Sequence, residues 1–177
     1  MEKLGFVEIR PRQGVYVCDY RRKGSVETLV AIMRYNGGAL RKNEVRSLLE
    51  TRDALECLCV RLVLERVKTA ELEPLSPILD AIATAKDPES AAEQVYTFHH
   101  ELAVLSGNVL MPLLYNSFRP QGLYLWSLYC KRSGIQRLYE IKLRLYTALL
   151  NRDLDAALEQ THQIMLAAIE DLSFYGA

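Results

Sequence analysis

The 177-residue chain lacks the long hydrophobic run, the charge excess and the processing signal that mark several classes of protein. No stretch approaches the ~18 uninterrupted apolar residues of a membrane span. The first residues are charged and strand-like, which is unlike a secretory signal. Basic and acidic side chains number 22 each, so bulk charge predicts no polyanion partner. These absences favour a cytoplasmic globular protein with no membrane partner.

Cysteine is scarce and badly placed for a disulfide or a metal. The four cysteines are Cys18, Cys57, Cys59 and Cys130. Cys57 and Cys59 are two residues apart in a helical pattern, so they point to different sides of the helix. The sequence therefore predicts reduced thiols, as is usual in the cytoplasm.

The motifs of common enzymes are missing as well. The chain has no glycine-rich phosphate loop, no nucleophile elbow and no HExxH, and no pair of carboxylates lies on an apolar stripe. We therefore expect no catalytic residues and no enzyme activity.

β-Structure is predicted at one place, in residues 6–17. Two short runs rich in β-branched and aromatic residues flank Pro11-Arg12-Gln13-Gly14, which is typical of a β-hairpin with a turn. The first 24 residues carry six basic against three acidic side chains. Arg10 and Arg12, with Gln13 and Gly14 at the tip, are therefore candidates for contacts to DNA phosphates or a minor groove. The alternative is a solvated turn with charged flanks.

From Ser25 onward the apolar residues recur at helical spacing. Leu29, Ile32 and Met33 are expected on the buried side of the first helix, and Gly37-Gly38 is expected to end it. The predicted helices cover 25–36, 42–68, a bent segment from Thr69, 87–106, 109–131 with a break around Pro120-Gln121-Gly122, 133–150 and 153–172. The long second helix should bury Val45, Leu48, Leu49, Leu55, Leu58, Leu62 and Val63. The two-residue turn Asn151-Arg152 makes the last two helices antiparallel neighbours. The sequence therefore predicts an all-α fold, an antiparallel bundle of six to seven helices after a short β-hairpin.

The stretch 95–108, VYTFHHELAVLSGN, carries the best functional clue. Val95, Phe98, Leu102 and Leu105 fall on one helical face, and His99 lies on the same stripe. Gly107 stands where a helix can end in a left-handed turn, because glycine has no Cβ. The pattern predicts a helix that carries His99 toward the core.

Four segments together resemble the FadR branch of the GntR family of bacterial transcription regulators. They are MEKLGFVEIRPRQGVYV, RDALE at 52–56, FHHELAVLSGN at 98–108 and NRDLDAALEQ at 151–160. The resemblance implies that residues 1–19 are the wing end of a winged-helix domain whose helix-turn-helix is absent, and that residues 20–177 form an effector-binding and dimerisation domain. It also implies a homodimeric parent that binds operator DNA, with a small-molecule effector shifting its operator affinity.

Many members of this branch bind a divalent metal in the effector pocket. The resemblance implies ligands at an aspartate four residues before the pocket histidine, at that histidine and at two further histidines. This sequence keeps His99 but has Val95 at the aspartate position, and the other positions fall at or near Lys142 and Ile164. Because valine, lysine and isoleucine are not zinc ligands, we expect no metal and no other cofactor.

Without a metal, the pocket needs another source of anion affinity or a mostly apolar ligand. Arg52, Arg137 and Lys142 are candidates for an anionic head group at the rim. The LSGN…GLYLWSLY stretch is similar to the acyl-CoA-responsive members, so the expected effector is an acyl-CoA, a fatty acid or a comparable organic anion. The candidate ligand-binding residues are Arg52, Val95, His99, Tyr124, Arg137 and Lys142.

Three alternatives for individual residues stay open. In these, Arg52 pairs only with Glu56 one helical turn away, the aromatic residues of 115–129 are core, and His99 is a hydrogen-bonded core histidine. At the level of the whole chain, the rival is a helical protein-interaction module without a small-molecule site. A metal-dependent carboxylate sensor that uses His99 and His162 is a third possibility.

Overall fold

The computed structural model describes residues 1–35 and 41–170. Contacts between Cα atoms divide the chain into two compact units, Met1–Leu40 and Arg41–Ala177. The predicted break at Gly37-Gly38 lies outside the described residues. The boundary after Asp19 stays a prediction about the parent protein, because the first unit groups the hairpin with the helical segment that follows it.

The N-terminal unit contains the predicted β-hairpin. Strands β1 (Val7–Arg10) and β2 (Gly14–Val17) pair antiparallel, with Val7 opposite Val17 and Arg10 opposite Gly14. Arg12 and Gly14 both have positive φ, of 66° and 118°, so the tight turn needs the conformational freedom of glycine at position 14. The hairpin prediction is confirmed.

Two helices follow in this unit, α1 (Tyr20–Lys23) and α2 (Val26–Tyr35). The prediction that Leu29 is buried is wrong, since 39% of its surface is exposed. Thr28 is buried, and its hydroxyl donates to the Leu4 carbonyl at 2.7 Å. Ile32, one helical turn later, is half-buried, so the prediction fails at Leu29 and holds in part at Ile32. The side chain of Met33 lies outside the described part of the chain.

Seven α-helices and a short 3₁₀ turn make up the described part of the second unit. They are α3 (Lys42–Arg66), a 3₁₀ turn (Thr69–Leu72), α4 (Leu75–Ala83), α5 (Pro88–Leu105), α6 (Met111–Ser117), α7 (Arg119–Ser133), α8 (Ile135–Leu150) and α9 (Leu154–Glu170). Helix α5 packs against α4, α6 and α7, while α3 packs against α9. The predicted all-α helix bundle is confirmed. No described helix combines the length and apolar composition that a membrane span requires.

Helix α3 buries a stripe that differs from its predicted apolar face. Leu58 is 40% exposed, so its predicted burial is wrong, and Leu55 is half-buried. The buried stripe instead runs through Leu48, Arg52 and Glu56 and continues to Val63. Arg52 and Glu56 thus occupy core positions one turn apart. A helix with 3.6 residues per turn places residues four apart on the same face, whatever the chemistry of their side chains.

Helix α5 begins and ends where the sequence predicts. The Asp87 carboxylate accepts from the Ser90 backbone N–H at 2.7 Å, and Pro88 occupies the first turn. Ser106 caps the other end, and Gly107 has φ of 67°, in the left-handed region. These two ends fix the length of α5.

The break between α6 and α7 falls at Phe118, earlier than the predicted break at Pro120-Gln121-Gly122. Proline lacks an N–H, and the first turn of a helix does not need one. Pro120 therefore lies in the first turn of α7, and Gly122 is a helical residue inside it.

Helices α8 and α9 are neighbours joined by the predicted turn. Arg152 in this turn has φ of 58°, and its guanidinium donates to the Leu64 and Val67 carbonyls at the end of α3. Those carbonyls have no partner within their own helix, so the turn side chain joins three helices.

Candidate functional site

The site begins with the two charged residues on the buried stripe of α3. Arg52 is 8% exposed and Glu56 is 2% exposed. The Arg52 Nη2 donates to Glu56 Oε1 at 2.6 Å. The predicted pairing of these residues is confirmed, but the pair lies in the core, where its electrostatic environment is far less screened than at the surface.

Helix α5 brings His99 to the same carboxylate. Its Nδ1 lies 3.3 Å from Glu56 Oε2, but the contact lacks hydrogen-bond geometry. Glu56 Oε2 and His99 Nε2 have no hydrogen-bond partner in the described part of the chain. Burial, reinforced by the nearby Lys142 and Arg52 charges, holds the pKa of His99 well below its usual value. His99 is therefore a neutral imidazole at pH 7, with an unsatisfied ring nitrogen.

Trp126 of α7 is the common contact of the cluster. The His99 ring stacks on it with centroids 5.8 Å apart. The guanidinium carbon of Arg52 lies 5.1 Å from the Trp126 ring centroid, and the Lys142 Nζ lies 4.4 Å from it. The indole thus holds two cations by cation–π attraction.

Lys142 of α8 is the second buried cation, with 2% of its surface exposed. Burial, together with the Arg52 charge, lowers the pKa of Lys142 to about 8, although the Glu56 carboxylate partly opposes this shift. Among the described residues no carboxylate makes an ion pair or a hydrogen bond with its ammonium. The core therefore holds two cations against one carboxylate when Lys142 is protonated.

A cavity opens beside this cluster, between α3, α5, α6 and α7. Its volume is about 410 Å³ when its open mouth is counted, and its enclosed part has room for about one water molecule. The wall is mostly apolar and is formed by Arg52, Leu55, Tyr96, His99, Leu114, Tyr115, Phe118, Gly122 and Trp126. A Cβ at position 122 would have no heavy atom within 4 Å, so Gly122 faces free space and leaves room for a larger side chain.

The structure brings together three of the six predicted ligand-binding residues. Arg52, His99 and Lys142 lie around Trp126, but the predicted rim position of Arg52 and Lys142 is wrong because both are buried. Val95 is fully buried and does not line the cavity.

The other two predicted residues lie away from the cluster. Tyr124 is 38% exposed and is not part of the cavity wall. Arg137 is exposed, lies 3.7 Å from Glu140 and lines a separate surface depression between α7, α8 and α9. The sequence did not predict the central place of Trp126 and Glu56. For Glu56 a signal existed, since Arg52 and Glu56 share the apolar stripe of α3.

The residues at the family's metal positions do not fit a metal ion. Val95 and Ile164 carry no donor, and the Lys142 ammonium would repel a cation. His162 is exposed and its Nδ1 lies 2.8 Å from Asp53, on a different face of α9 from the buried Ile164. Across the described residues, no group of three or more His, Cys, Asp or Glu side chains is arranged to hold a metal.

The fold and this buried cluster define an all-α bundle with a charged, mostly apolar site in its core. A family model described as the FCD domain matches residues 47–168. The chain belongs to the FCD domain family, as the sequence predicts.

Curated relatives point to one class of protein. The chain is 28% identical over 156 residues to the HTH-type transcriptional regulator LutR of Bacillus subtilis, and the aligned residues cover 84% of this chain and 68% of LutR. It is 30% identical over 119 residues to the HTH-type transcriptional regulator Mce2R of Mycobacterium tuberculosis, and that alignment covers 67% of this chain and 49% of Mce2R. The chain thus spans about half the length of that mycobacterial relative. Both relatives carry the names of regulators and not of enzymes, in agreement with the predicted lack of enzyme activity.

A solved structure shows the same fold. Streptococcus agalactiae GntR superposes with a TM-score of 0.60 at 22% identity, over 96% of this chain and 77% of that one.

Proposed function

We propose that this chain is the effector-binding part of a DNA-binding transcription regulator of the GntR type. The regulator names of the curated relatives and the FCD domain support this role. The effector is an organic anion with an apolar body, such as a fatty acid, and it binds in the cavity beside Arg52 and His99.

The observation that carries this proposal is the charge of the buried cluster. Arg52 and Lys142 are two cations, and Glu56 is their one carboxylate. An uncompensated buried charge is costly. A monoanion bound beside Arg52 would bring the cluster to neutrality, so the site favours negatively charged ligands.

The cavity wall supports an apolar body for the ligand. Leu55, Leu114 and Phe118 line it together with aromatic rings. Because the enclosed part holds about one water molecule, a small acid needs the least movement of the wall. An acyl-CoA is larger, so it would need the wall to move further.

The proposed mechanism is thermodynamic linkage in a homodimer. An effector that binds one arrangement of the helices more tightly shifts the protein toward that arrangement. In the parent regulator this shift changes the distance between two DNA-binding units, and so the affinity for a two-fold operator.

The hairpin supports a contact to DNA in the parent. Arg12, Gln13 and Gly14 are exposed at its tip, while Arg10 pairs with Glu8 at 2.8 Å and lies over the Tyr16 ring. Arg12 is therefore the better placed of the two arginines for a phosphate, because Arg10 already has an anionic partner.

The rival is a helical interaction module with no small-molecule site, and the small enclosed volume favours it. The two are separated by a titration that uses Trp126, the single tryptophan of the chain, as a fluorescent reporter inside the cluster. The probes are acetate, hexanoate and decanoate, with 1-hexanol and 1-decanol as neutral controls of matched chain length. We expect the carboxylates to change the emission saturably and the alcohols to bind at least tenfold more weakly.

Gly122→Leu provides the test of location. The new side chain enters free space in the cavity without meeting other atoms at its Cβ, so we expect a folded protein that binds hexanoate at least tenfold more weakly. Leu128→Ala, on the same helix and outside the cavity wall, is the matched control. Equal binding of acids and alcohols, or an unchanged affinity in Gly122→Leu, would reject an anion site in this cavity.

A further inference from the structure

The carboxylate of Glu56 occupies the place on Arg52 where an effector anion would be expected. It accepts from Arg52 Nη2 at 2.6 Å, and both side chains are buried. A carboxylate on a guanidinium is the same pairing that an acidic ligand would make. The chain thus carries an internal anion at the cationic end of its own cavity.

Glu56 does not line the cavity, although Arg52 and His99 do. Glu56 lines a narrow gap that is too small for a water molecule, shared with His99, Tyr115 and Thr161. Arg52 thus has Glu56 as its partner while it also lines the space that a ligand would enter.

Only one of the two carboxylate oxygens of Glu56 accepts a hydrogen bond from a described residue. Its Oε1 accepts from Arg52, but its Oε2 has no hydrogen-bond partner among the described residues. A buried carboxylate oxygen without a donor is costly. A movement of Glu56 that brought a donor to Oε2 would therefore recover part of this cost.

A second cation is available to Glu56. The Lys142 ammonium is buried in the same cluster, makes no ion pair within the described chain and is influenced electrostatically by Glu56. If Arg52 turned to a ligand, Glu56 could pair with Lys142. Two cations would then face two carboxylates, and no buried charge would be left uncompensated.

We propose that Glu56 is an internal counter-ion that competes with the effector for Arg52, and that binding transfers Arg52 from Glu56 to the carboxylate of a monoanionic ligand. This inference rests on the proposed function. It predicts that Glu56 lowers the affinity for every anion, so that weakly paired anions are rejected and only a carboxylate with a well-fitting body binds.

The test compares Glu56→Gln with the wild-type protein in a hexanoate titration followed by Trp126 emission. Glutamine keeps the shape of the side chain but removes its charge, so we expect hexanoate to bind at least tenfold more tightly. Glu89→Gln is the matched control, because Glu89 forms an exposed ion pair with Lys131 at 2.6 Å, and its hexanoate affinity should equal that of the wild type. Unchanged or weaker binding in Glu56→Gln would overturn the proposal.

A second variant keeps the test valid if glutamine impairs folding. Glu56→Ala leaves space beside Arg52, and acetate should fill it as a replacement counter-ion. We expect 50 mM sodium acetate to raise the melting temperature of Glu56→Ala by several degrees more than that of the wild type, with sodium chloride as the ionic-strength control. An equal shift in both proteins counts against the counter-ion role.

These outcomes separate the inference from the proposed function. If the wild type binds hexanoate and Gly122→Leu does not, but Glu56→Gln gains no affinity, the effector site stands and the counter-ion role fails. If the wild type binds no carboxylate of any length, the effector site fails and the proposed competition fails with it, even where acetate stabilises Glu56→Ala.

Discussion

At the scale of single residues, the unusual feature is the number of charges in the core. Lys142, Arg52 and Glu56 are each less than a tenth exposed. Replacing such charges by apolar residues often stabilises a protein, because the desolvation cost disappears. Their presence is therefore evidence for a role other than stability.

Lys142→Met tests this cost directly. The pKa of Lys142 is lowered from 10.5 to about 8 in the folded protein. Between these values the unfolded chain binds more protons at this position than the folded protein does, so the contribution of Lys142 to the free energy of unfolding becomes less unfavourable as the pH rises. We therefore expect Lys142→Met to be more stable than the wild type by roughly 2 kcal/mol at pH 7, and this difference to shrink toward pH 10.5. Urea unfolding at pH 7, 9 and 10.5 measures both effects.

Lys131→Met provides the control for that series. Lys131 is an exposed residue paired with Glu89, so its loss should leave the difference between pH 7 and pH 10.5 as in the wild type. If the free energy of unfolding of Lys142→Met changed with pH as that of the wild type does, the buried ammonium would not contribute to the pH dependence.

The sequence predicted part of this cluster. The spacing of Arg52 and Glu56 predicted their pairing, and the stripe through Val95 and Phe98 predicted a buried His99. Trp126 was missed because its meeting with Arg52 depends on how α7 packs in the bundle, and no local pattern encodes that. The predicted burial of Leu58 is wrong because the leucines of α3 extend beyond its buried stripe, which passes through Arg52 and Glu56.

At the scale of helices and strands, local chemistry fixed most of the boundaries. Asp87-Pro88 and Gly107 bound α5 as expected, since capping and left-handed turns have strong residue preferences. The α6–α7 break was misplaced because proline fits both a break and a first turn. The structure selects the first turn, at Pro120.

Arg152 shows how a turn can hold three helices, and two substitutions separate its contributions. Its guanidinium caps the Leu64 and Val67 carbonyls, and its backbone has φ of 58°. Arg152→Ala loses the hydrogen bonds and keeps the unfavourable backbone, so we expect a loss of about 2 kcal/mol. Arg152→Gly loses the same bonds but relieves the backbone, and it should be more stable than the alanine variant by about 1 kcal/mol.

Chemical denaturation of the two variants and the wild type measures this difference. An Arg152→Gly protein that is no more stable than Arg152→Ala would show that the left-handed turn carries no strain. Wild-type stability in both would show that the caps contribute nothing to the fold.

At the scale of the whole chain, each of the two compact units has hydrogen bonds of its own. In Met1–Leu40, the Thr28 hydroxyl and the Cys18 backbone N–H donate to the Leu4 and Phe6 carbonyls. The residues matched by the FCD domain, 47–168, all lie in the second unit. That unit also contains every residue of the charged cluster.

The fragment 41–177 contains the whole of the second unit. Because its core and its cavity are built from its own residues, we expect it to fold, to melt within about 5 °C of the full chain and to bind hexanoate with unchanged affinity.

The full chain carries Arg12 and the other basic residues of the first unit, so at low salt it should bind a random DNA duplex weakly and the fragment should bind it less. Calorimetry, the Trp126 titration and a fluorescence-anisotropy assay with labelled duplex measure the three properties. A fragment that folds but does not bind hexanoate would place part of the effector site in the first unit, and equal duplex binding by both proteins would remove the hairpin from the DNA contact.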